Sequence, residues 1–350
     1  MTLQEAGGWP SVLGTLTAHR DLDRDVAAAA MAEILDGDAT PVQIAGFIVA
    51  LRMKGETVDE LTGLVASMRD RATPVKLARP EGVIDLVGTG GDRSHSINVS
   101  TLAALTVVAA GGRVCKHGNR AASSACGTAD LLEALDVAFD LGPEGVSRCV
   151  DQVGFGFCFA PRFHGAMRHA GPPRKELGVP TVFNLLGPLA NPAGVTRQVT
   201  GVSDPTAAEK MVHVLAAGGS ERALVLYGHD GLDELTTTTT STIHELRDGE
   251  VRTYDVDPAV LRIAPATLDD LRGGDATENA RISRSVLAGE PGPRADIVAL
   301  NAAAGLLAAG VADTLEEGLD AARTALSERR VEAVLDAVVS ESQAARAAGL

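Results

Sequence analysis

From Val83 onward the sequence alternates short apolar runs with helical segments, and this alternation limits the fold more than any other feature. The runs VIDLV, RVCKHGN and ALVLYGHDG are predicted strands, and TLAALTVVAA and TADLLEAL are predicted helices. Strands that alternate with helices form a mainly parallel sheet covered by helices on both faces. Ligands of such sheets bind beyond the carboxyl ends of the strands. Two polar stretches, Gly88–Asp92 and Lys116–Arg120, fall at that edge and are candidates for a binding site.

The residues before Val83 predict a small helical bundle. Residues 10–75 contain several helical segments with clear start signals. Thr40 followed by Pro41 begins one helix, and Thr57 with Glu60 forms a T-x-x-E capping box at the start of another. Short connections between such helices are typical of a bundle.

The block 160–195 contains short predicted helices separated by glycine and proline, and we expect it to pack back on the N-terminal helices. The sequence therefore predicts an α/β protein with a small, discontinuous helical domain, residues 1–80 joined by helices from about 162–195. The larger α/β domain would take residues 81–161 and 196–350. The threonine run 236–240 is predicted to be a loop that enters a hairpin near the Asp248–Gly249 turn.

Composition excludes some classes of function. The chain has 350 residues and a formal net charge of −15, which argues against a general surface for nucleic acid or for an anionic membrane. There is no charge-free apolar run of about 18 residues, so we expect no membrane span, and the mixed N-terminal stretch predicts no signal peptide. The four cysteines contain no C-x-x-C pair, and we expect them to be thiols in a reducing cytoplasm. A disulfide framework is the alternative.

The Gly88–Asp92 stretch, GTGGD, is a candidate phosphate-binding turn. No Gly-Lys-Ser/Thr follows it, and Arg93 stands at the third glycine position of a dinucleotide fingerprint, so both of those motifs are excluded. Glycines allow backbone N–H groups to point at an anion, and the helix that follows offers its positive end. The alternative is an ordinary turn between a strand and a helix.

The Lys116–Arg120 stretch, KHGNR, is the second candidate. It places two cations and an amide after a strand, with the hydroxyls of Ser123 and Ser124 close behind, in a chain that is otherwise acidic. A solvated basic turn is the alternative, but two such stretches after neighbouring strands favour one shared site for a polyanion.

Asp233 and Glu234 suit a magnesium ion, which takes one or two carboxylates together with water and phosphate oxygens. We expect this acidic pair to lie at the surface, where its loss costs little stability. His164 and His169 are five residues apart, so they do not share a helix face as a zinc pair would. The sequence contains no motif for covalent catalysis, such as G-x-S-x-G.

Together the motifs resemble the anthranilate phosphoribosyltransferases of tryptophan biosynthesis. GTGGD, KHGNR, RKELG, TVFNLLGPLANP and GLDE occur in that family's order, and the resemblance covers nearly the whole chain. It implies transfer of the phosphoribosyl group of 5-phosphoribosyl 1-diphosphate (PRPP) to anthranilate, with two Mg²⁺ ions per subunit. It also implies a fold like that of nucleoside phosphorylases, a homodimer formed through the helical domain, and an active site between the domains.

The resemblance also assigns residues, motif by motif. The positions that match its PRPP-binding residues are Gly88, Gly91, Asp92, Ser96, Asn98, Val99, Ser100, Thr101, Lys116, His117, Gly118, Asn119, Arg120, Ala121, Ala122, Ser123, Ser124 and Thr128. The anthranilate positions are Gly88, Asn119, His164 and Arg174, and the Mg²⁺ positions are Ser100, Asp233 and Glu234. The resemblance implies leaving-group stabilisation by Lys116 and no acid or base residue.

The sequence departs from the family pattern at two places, and two alternative functions remain open. The run TTTTTS follows Asp233–Glu234 where the family commonly has serine, glycine and proline, and Cys126 and Thr128 lie in a segment often richer in serine. A pyrimidine nucleoside phosphorylase is the nearest alternative, because that family also acts at a ribose C1. A non-catalytic relative that binds nucleic acid is the other, and the net charge of −15 argues against it.

Overall fold

The N-terminal part of the chain is a four-helix bundle, as the start signals predicted. The computed structural model describes residues 1–92, 94–121 and 125–350. The bundle consists of α1 (Gly8–Thr17), α2 (Arg24–Asp36), α3 (Pro41–Lys54) and α4 (Val58–Asp70). The Thr57 side chain accepts a hydrogen bond from the Glu60 N–H and Glu60 binds back to the Thr57 N–H, so the predicted capping box is present.

The remainder of the chain builds one seven-stranded sheet with helices around it. The strands are β1 (Val83–Gly88), β2 (Arg113–Gly118), β3 (Phe155–Phe159), β4 (Arg197–Gly201), β5 (Arg222–Gly228), β6 (Ser241–Arg247) and β7 (Glu250–Val256). The helices are α5 (Val99–Ala109), α6 (Thr128–Ala134), α7 (Pro143–Val153), α8 (Ala160–Phe163), α9 (Gly171–Leu177), α10 (Val182–Leu189), α11 (Pro205–Ala217), α12 (Ala276–Leu287), α13 (Pro293–Ala309), α14 (Leu315–Ser327) and α15 (Arg330–Ala347).

The strand order creates a crevice at the centre of the sheet. The order is β3-β2-β1-β4-β5-β6-β7, with parallel pairing from β3 to β5 and antiparallel pairing beyond. The chain moves outward from β1 through β2 to β3 and then returns to place β4 on the other side of β1. Ligands bind at such a reversal, beyond the carboxyl ends of the strands. The predicted fold class is therefore confirmed.

The segment between β3 and β4 returns to the N-terminal helices. It contains α8, a 3₁₀ helix at Gly165–His169, α9 and α10. The 3₁₀ helix contacts α2, α9 contacts α3, and α10 contacts α4. Phe183 and Leu186 of α10 share a buried cluster with Phe47 of α3, so apolar packing holds the segment against the bundle.

A hairpin closes the antiparallel end of the sheet. The threonine run leads directly into β6, and β6 pairs with β7 from Ser241↔Val256 to Arg247↔Glu250. Asp248 and Gly249, at the turn, both have positive φ, 54° and 80°. A two-residue turn with positive φ at both positions matches the twist of the strands, which explains the Asp-Gly pair.

α13 is buried along most of its length because it packs against α5, α14 and the sheet. Its residues from Ile297 to Ala309 belong to the buried core. Within the described ranges, no helix combines the length and the apolar character needed to cross a bilayer.

The contact between α2 and α4 depends on Gly63, where a Cβ atom would overlap the Arg24 carbonyl oxygen. We predict that Gly63→Ala lowers the free energy of unfolding by about 1–3 kcal/mol, the usual cost of overpacking. The matched control is Gly14→Ala in α1, where a Cβ has open space. That variant should gain up to about 1 kcal/mol from helix propensity. Denaturant unfolding measures both, and equal stability of the two variants would contradict the prediction.

Candidate active site

The glycine turn after β1 is fixed by contacts to the end of β4 and to the loop between β5 and β6. Gly90 and Gly91 have positive φ, 66° and 85°. The Gly90 N–H donates to Asp233 Oδ2 at 2.7 Å, and the Thr89 N–H donates to the Gly201 carbonyl at 2.9 Å. The turn is therefore held at the crevice between β1 and β4, where the order of the strands reverses.

Three carboxylates gather beside this turn. Within the described part of the chain, Asp92, Asp233 and Glu234 have carboxylate oxygens that all lie within 4.8 Å of one another. Burial, and then the neighbouring Asp92, raise the pKa of Asp233 to about 6. Burial and Asp233 raise the pKa of Glu234 well above its ordinary value. Glu234 Oε2 is buried without a hydrogen-bond partner among the described residues. A divalent cation would relieve this repulsion, so the group fits a Mg²⁺ site.

The expectation that the acidic pair lies at the surface is wrong for Asp233, whereas Glu234 is partly exposed. Asp233 is only 8% exposed, because its backbone passes against Gly201 at the end of β4 and its carboxylate lies against Gly88. A Cβ atom at either glycine would overlap Asp233. Asp92 joins the pair although the resemblance assigned it only to PRPP. The available signal was its place at the end of GTGGD, but the sequence did not show that this turn faces Asp233.

Lys116 lies at the base of the same site. It belongs to β2 and is 1% exposed, so a solvated basic turn is excluded for this residue. Its Nζ donates to the Leu86 carbonyl and to Ser100 Oγ, the latter at 3.2 Å. Burial lowers the pKa of Lys116 to about 8, although the nearby carboxylates of Asp85, Glu234 and Asp233 act in the opposite direction.

The N-terminus of α5 borders the turn and places the next group of predicted residues. Asn98 precedes the helix, which begins at Val99 and continues through Ser100 and Thr101. Thr101 Oγ1 lies 3.4 Å from Thr128 Oγ1, so these two predicted positions are neighbours. Free N–H groups at a helix start favour anions, which suits a phosphate at this position. Ser96 forms an isolated bridge with Arg272 just before the helix.

The loop after β2 is described only in part. Arg120 donates to Asp130 at 2.7 Å and to Glu133 at 2.8 Å, and its guanidinium lies 4.8 Å from the centre of the Phe139 ring. These contacts occupy the Arg120 charge, so its predicted role toward PRPP stays a prediction. The predicted residues Ala122, Ser123 and Ser124 lie outside the described residues.

A cleft of about 470 Å³ adjoins the glycine turn, and all four predicted anthranilate positions line it. Gly88 ends β1 and Asn119 directly follows β2, whereas His164 and Arg174 come from the segment that returns to the bundle. Sequence reasoning missed other lining residues. These are Met68, Val87, Thr89, Ala160, Pro161, Gly165, Met167, Arg168, Phe183, Asn184, Gly187 and Pro188, with His117 and Gly118 assigned only to PRPP. Phe183 and Gly187 lie in the TVFNLLGPLANP motif, but nothing in the sequence showed that they face Arg174.

The cleft contains the guanidinium of Arg174 and the imidazoles of His117 and His164. The Arg174 guanidinium lies 4.9 Å from the centre of the Phe183 ring, and it forms no ion pair within the described part of the chain. Burial lowers the pKa of Arg174. The rings of His117 and His164 lie 5.1 Å apart, and burial lowers the pKa of His117 to about 3. The cleft therefore favours a flat ligand that carries one anionic group.

The threonine run forms an ordered loop beside the acidic pair. The hydroxyls of Thr236 and Thr238 both donate to Asp230 Oδ2, the former at 2.7 Å. On the other side, Asn301 of α13 accepts from the Leu235 N–H at 2.9 Å and donates to its carbonyl at 2.8 Å. The departure from the family pattern therefore leaves the loop that carries Asp233 and Glu234 anchored at both ends.

Comparison with known proteins identifies the family of this chain and agrees with the geometry of the site. A family described as "Glycosyl transferase family, helical bundle domain" matches residues 10–72, and "Glycosyl transferase family, a/b domain" matches residues 80–329. The anthranilate phosphoribosyltransferase of Rhodococcus jostii is 54% identical over 91% of this chain and 89% of its own length. The chain belongs to the anthranilate phosphoribosyltransferase family. The resemblance stated from the motifs is thus confirmed, and it is favoured over both alternatives.

Solved structures of anthranilate phosphoribosyltransferases agree with this family assignment. That of Thermus thermophilus has a TM-score of 0.90 and 42% identity, covering 95% of this chain and 99% of its own. One from Saccharomyces cerevisiae, in complex with PRPP and Mg, has a TM-score of 0.87 and 26% identity, with coverage of 98% and 99%. The same yeast protein is described in complex with 4-fluoroanthranilate.

We predict that replacing Asp233 by Asn and Glu234 by Gln together abolishes Mg²⁺ binding while the protein stays folded. The Asn oxygen can still accept the Gly90 N–H, but neither amide supplies the negative charge that the ion requires. Calorimetric titration with Mg²⁺ in the presence of PRPP measures the binding, and thermal unfolding measures stability.

Asp233→Ala is the matched control, because it also removes the acceptor for Gly90 and should be less stable than Asp233→Asn by about 1 kcal/mol. Wild-type Mg²⁺ affinity in the double variant would show that the acidic group does not hold the ion.

Proposed function

We propose that this chain transfers the 5-phosphoribosyl group of PRPP to the amine of anthranilate, giving N-(5-phosphoribosyl)anthranilate and diphosphate, as a step of tryptophan biosynthesis. One observation carries the proposal. The cleft that contains Arg174 meets the glycine turn at Gly88 and Thr89, and Gly88 lies against the Asp233 carboxylate of the acidic group. A carboxylate-bearing ring and a phosphorylated sugar can therefore lie side by side in one site.

The PRPP side of the site is formed by the glycine turn, the start of α5 and the end of β2. We assign its contacts to the residues that the resemblance implied. They are Gly88, Gly91, Asp92, Ser96, Asn98, Val99, Ser100, Thr101, Thr128 and the stretch 116–124. The positive end of α5 and the Lys116 ammonium support this assignment, because both stabilise the negative charge that develops on the leaving diphosphate.

Magnesium is the proposed cofactor, with two ions per subunit. The yeast family member in complex with PRPP and Mg supports the choice of metal. Ser100, Asp233 and Glu234 are the proposed ligands, and the position of the Asp92 carboxylate adds it to the set. When bound, Mg²⁺ neutralises diphosphate oxygens and so favours departure of the leaving group.

Anthranilate is proposed to bind on the other side of the cleft. The Arg174 fork suits both oxygens of its carboxylate, and Asn119, His164 and Gly88 surround the ring. The aromatic amine of anthranilate is neutral at pH 7 and does not require a strong base. The low pKa of His117, caused by burial, agrees with a site that works by positioning its reactants.

The domain division and the assembly are also proposals. We place a helical domain at residues 1–80 and about 162–195, and an α/β domain at 81–161 and 196–350. The packing of α9 and α10 on α3 and α4 supports this division. Val42, Val49 and Met53 are 81%, 37% and 73% exposed on α3, and their helical spacing places them on one face. That apolar face supports a homodimer formed through the helical domain.

Sedimentation of the wild type against Met53→Asp tests the dimer, and a monomeric wild type would contradict it.

A cytoplasmic location is proposed as well, because Cys115 and Cys158 contact each other as thiols with their sulfurs 3.6 Å apart.

The activity itself has a direct test. Anthranilate fluorescence should disappear when the protein is mixed with PRPP and Mg²⁺, and EDTA should prevent this loss. Thymidine with inorganic phosphate should not react, which separates the function from that of a pyrimidine nucleoside phosphorylase. No loss of fluorescence at any Mg²⁺ concentration would refute the proposal.

We predict that Arg174→Ala raises the KM for anthranilate by roughly ten- to a hundred-fold, because one charge-assisted hydrogen-bond partner is lost. The KM for PRPP should change little. Arg174→Lys should restore only part of the affinity, since a point charge cannot bind two oxygens at once. Lys175→Ala removes the neighbouring cation and is the matched control. Equal losses for both substrates would place the carboxylate elsewhere.

A further inference from the structure

The sequence motif DLVGTGGD begins with a buried aspartate that the reaction does not use. Asp85 is fully buried in β1, two residues beyond the start of the strand. The registered pairs between β1 and β2 are Val83↔Arg113 and Ile84↔Val114. By contrast, β1 pairs with β4 as far as Gly88↔Gly201, and β2 pairs with β3 as far as Gly118↔Phe159. Regular backbone pairing between β1 and β2 therefore ends before Asp85, although the two strands remain neighbours in the sheet.

Beyond Ile84, side-chain hydrogen bonds replace the backbone pairing between β1 and β2. The His117 N–H donates to Asp85 Oδ1 at 3.0 Å. The Lys116 ammonium donates to the Leu86 carbonyl. Asn191 Nδ2 donates to the Cys115 carbonyl and to Asp85 Oδ2, both at 2.8 Å. Backbone groups on both strands are thus satisfied by buried side chains, which we call the Asp85 seam (Asp85, Lys116 and Asn191).

The seam also joins the two substrate sides of the cleft. Asn191 follows α10 and belongs to the segment that carries Arg174 and Phe183. It is buried, and its Oδ1 accepts the Ala193 N–H at 2.8 Å, so its amide orientation is fixed by three hydrogen bonds. One carboxylate therefore contacts the end of β2 on one side and the returning segment on the other.

The Asp85 carboxylate interacts with one nearby cation, the Lys116 ammonium. Burial raises the pKa of Asp85 to about 6, while the nearby Lys116, the Asn191 amide and the N–H groups of His117 and Leu86 favour the charged form. Lys116 in turn is attracted by Asp85 on one side and by Asp233 and Glu234 on the other. A buried carboxylate with several donors is costly to maintain, which points to a task beyond stability.

We propose that Asp85 is a positioning residue for phosphoribosyl transfer: with Asn191 it links the ends of β1 and β2 through side-chain hydrogen bonds and so sets Lys116, His117 and Asn119 toward both substrates. This inference rests on the proposed function. It needs no contact between Asp85 and substrate, because the residue acts through the backbone of His117 and through the Lys116 ammonium.

The decisive variant is Asp85→Asn. The Asn oxygen can still accept the His117 N–H, but its amide nitrogen then faces the Asn191 amide nitrogen, donor against donor. We expect a loss of roughly tenfold or more in PRPP affinity, measured by calorimetry with Mg²⁺ present, and a lower kcat. Adding Asn191→Asp to the Asp85→Asn variant again places a donor opposite an acceptor. The double variant should therefore recover part of the lost PRPP affinity.

Ser342→Ala is the matched control. Ser342 Oγ accepts the buried Ala138 N–H at 3.0 Å, and neither residue lines the cleft. That variant should lower the melting temperature without changing PRPP affinity or kcat. If Asp85→Asn behaves in the same way, Asp85 only stabilises the fold and the proposal is overturned.

Asn191→Ala provides a second variant in case Asp85→Asn does not fold. It removes the Asn191 hydrogen bonds to Asp85 and to the Cys115 carbonyl and leaves Asp85 in place, so the same loss of PRPP affinity is expected. Normal affinity in a folded Asn191→Ala protein would also overturn the proposal. The wild type is measured first, because a wild type that does not transform anthranilate would refute the proposed function and not the role of Asp85.

Discussion

The close approach of Asp233 to the ends of β1 and β4 is the constraint on which the rest of the site depends. Gly88 and Gly201 end these neighbouring strands, and a side chain on either would overlap Asp233. The carboxylate that enters this space binds the Gly90 N–H and thereby fixes the glycine turn. The acidic group and the glycine turn are consequently held together at the reversal of strand order.

Charge in this site is arranged differently from a simple basic pocket. The chain carries a net charge of −15, and its central site gathers three of its carboxylates, two of which also act on the buried Lys116. Arg120, the other cation of the second motif, is paired with Asp130 and Glu133. The mutual repulsion of the carboxylates favours binding of a metal ion, and such an ion would offset their charge toward a polyanionic substrate.

The segment between β3 and β4 supplies apolar walls and a cation, which the ends of the strands do not provide. Parallel strands bring backbone N–H groups and short polar side chains to their ends, which suits phosphate. The flat cleft for a second reactant requires apolar walls and a cation, and these arrive with Phe183 and Arg174 after the chain has packed against the bundle. Because Asn191 ties this segment to β1 and β2, the two halves of the site are held in one relation to each other.

The sequence by itself determined the features that depend on neighbouring residues. These include the capping box at Thr57, the alternation of strands and helices, the glycine turn, the Asp-Gly hairpin and the family, which follows from the order of the motifs. Only the tertiary structure decided that Asp92 joins Asp233 and Glu234, that Asp233 is buried, that Arg120 is paired with Asp130, and that Asp85 replaces backbone pairing between β1 and β2. Local patterns encode φ, ψ and which face of an element is apolar. They do not encode which distant side chains meet across a crevice, because that depends on how separate segments pack and which groups burial forces to find partners.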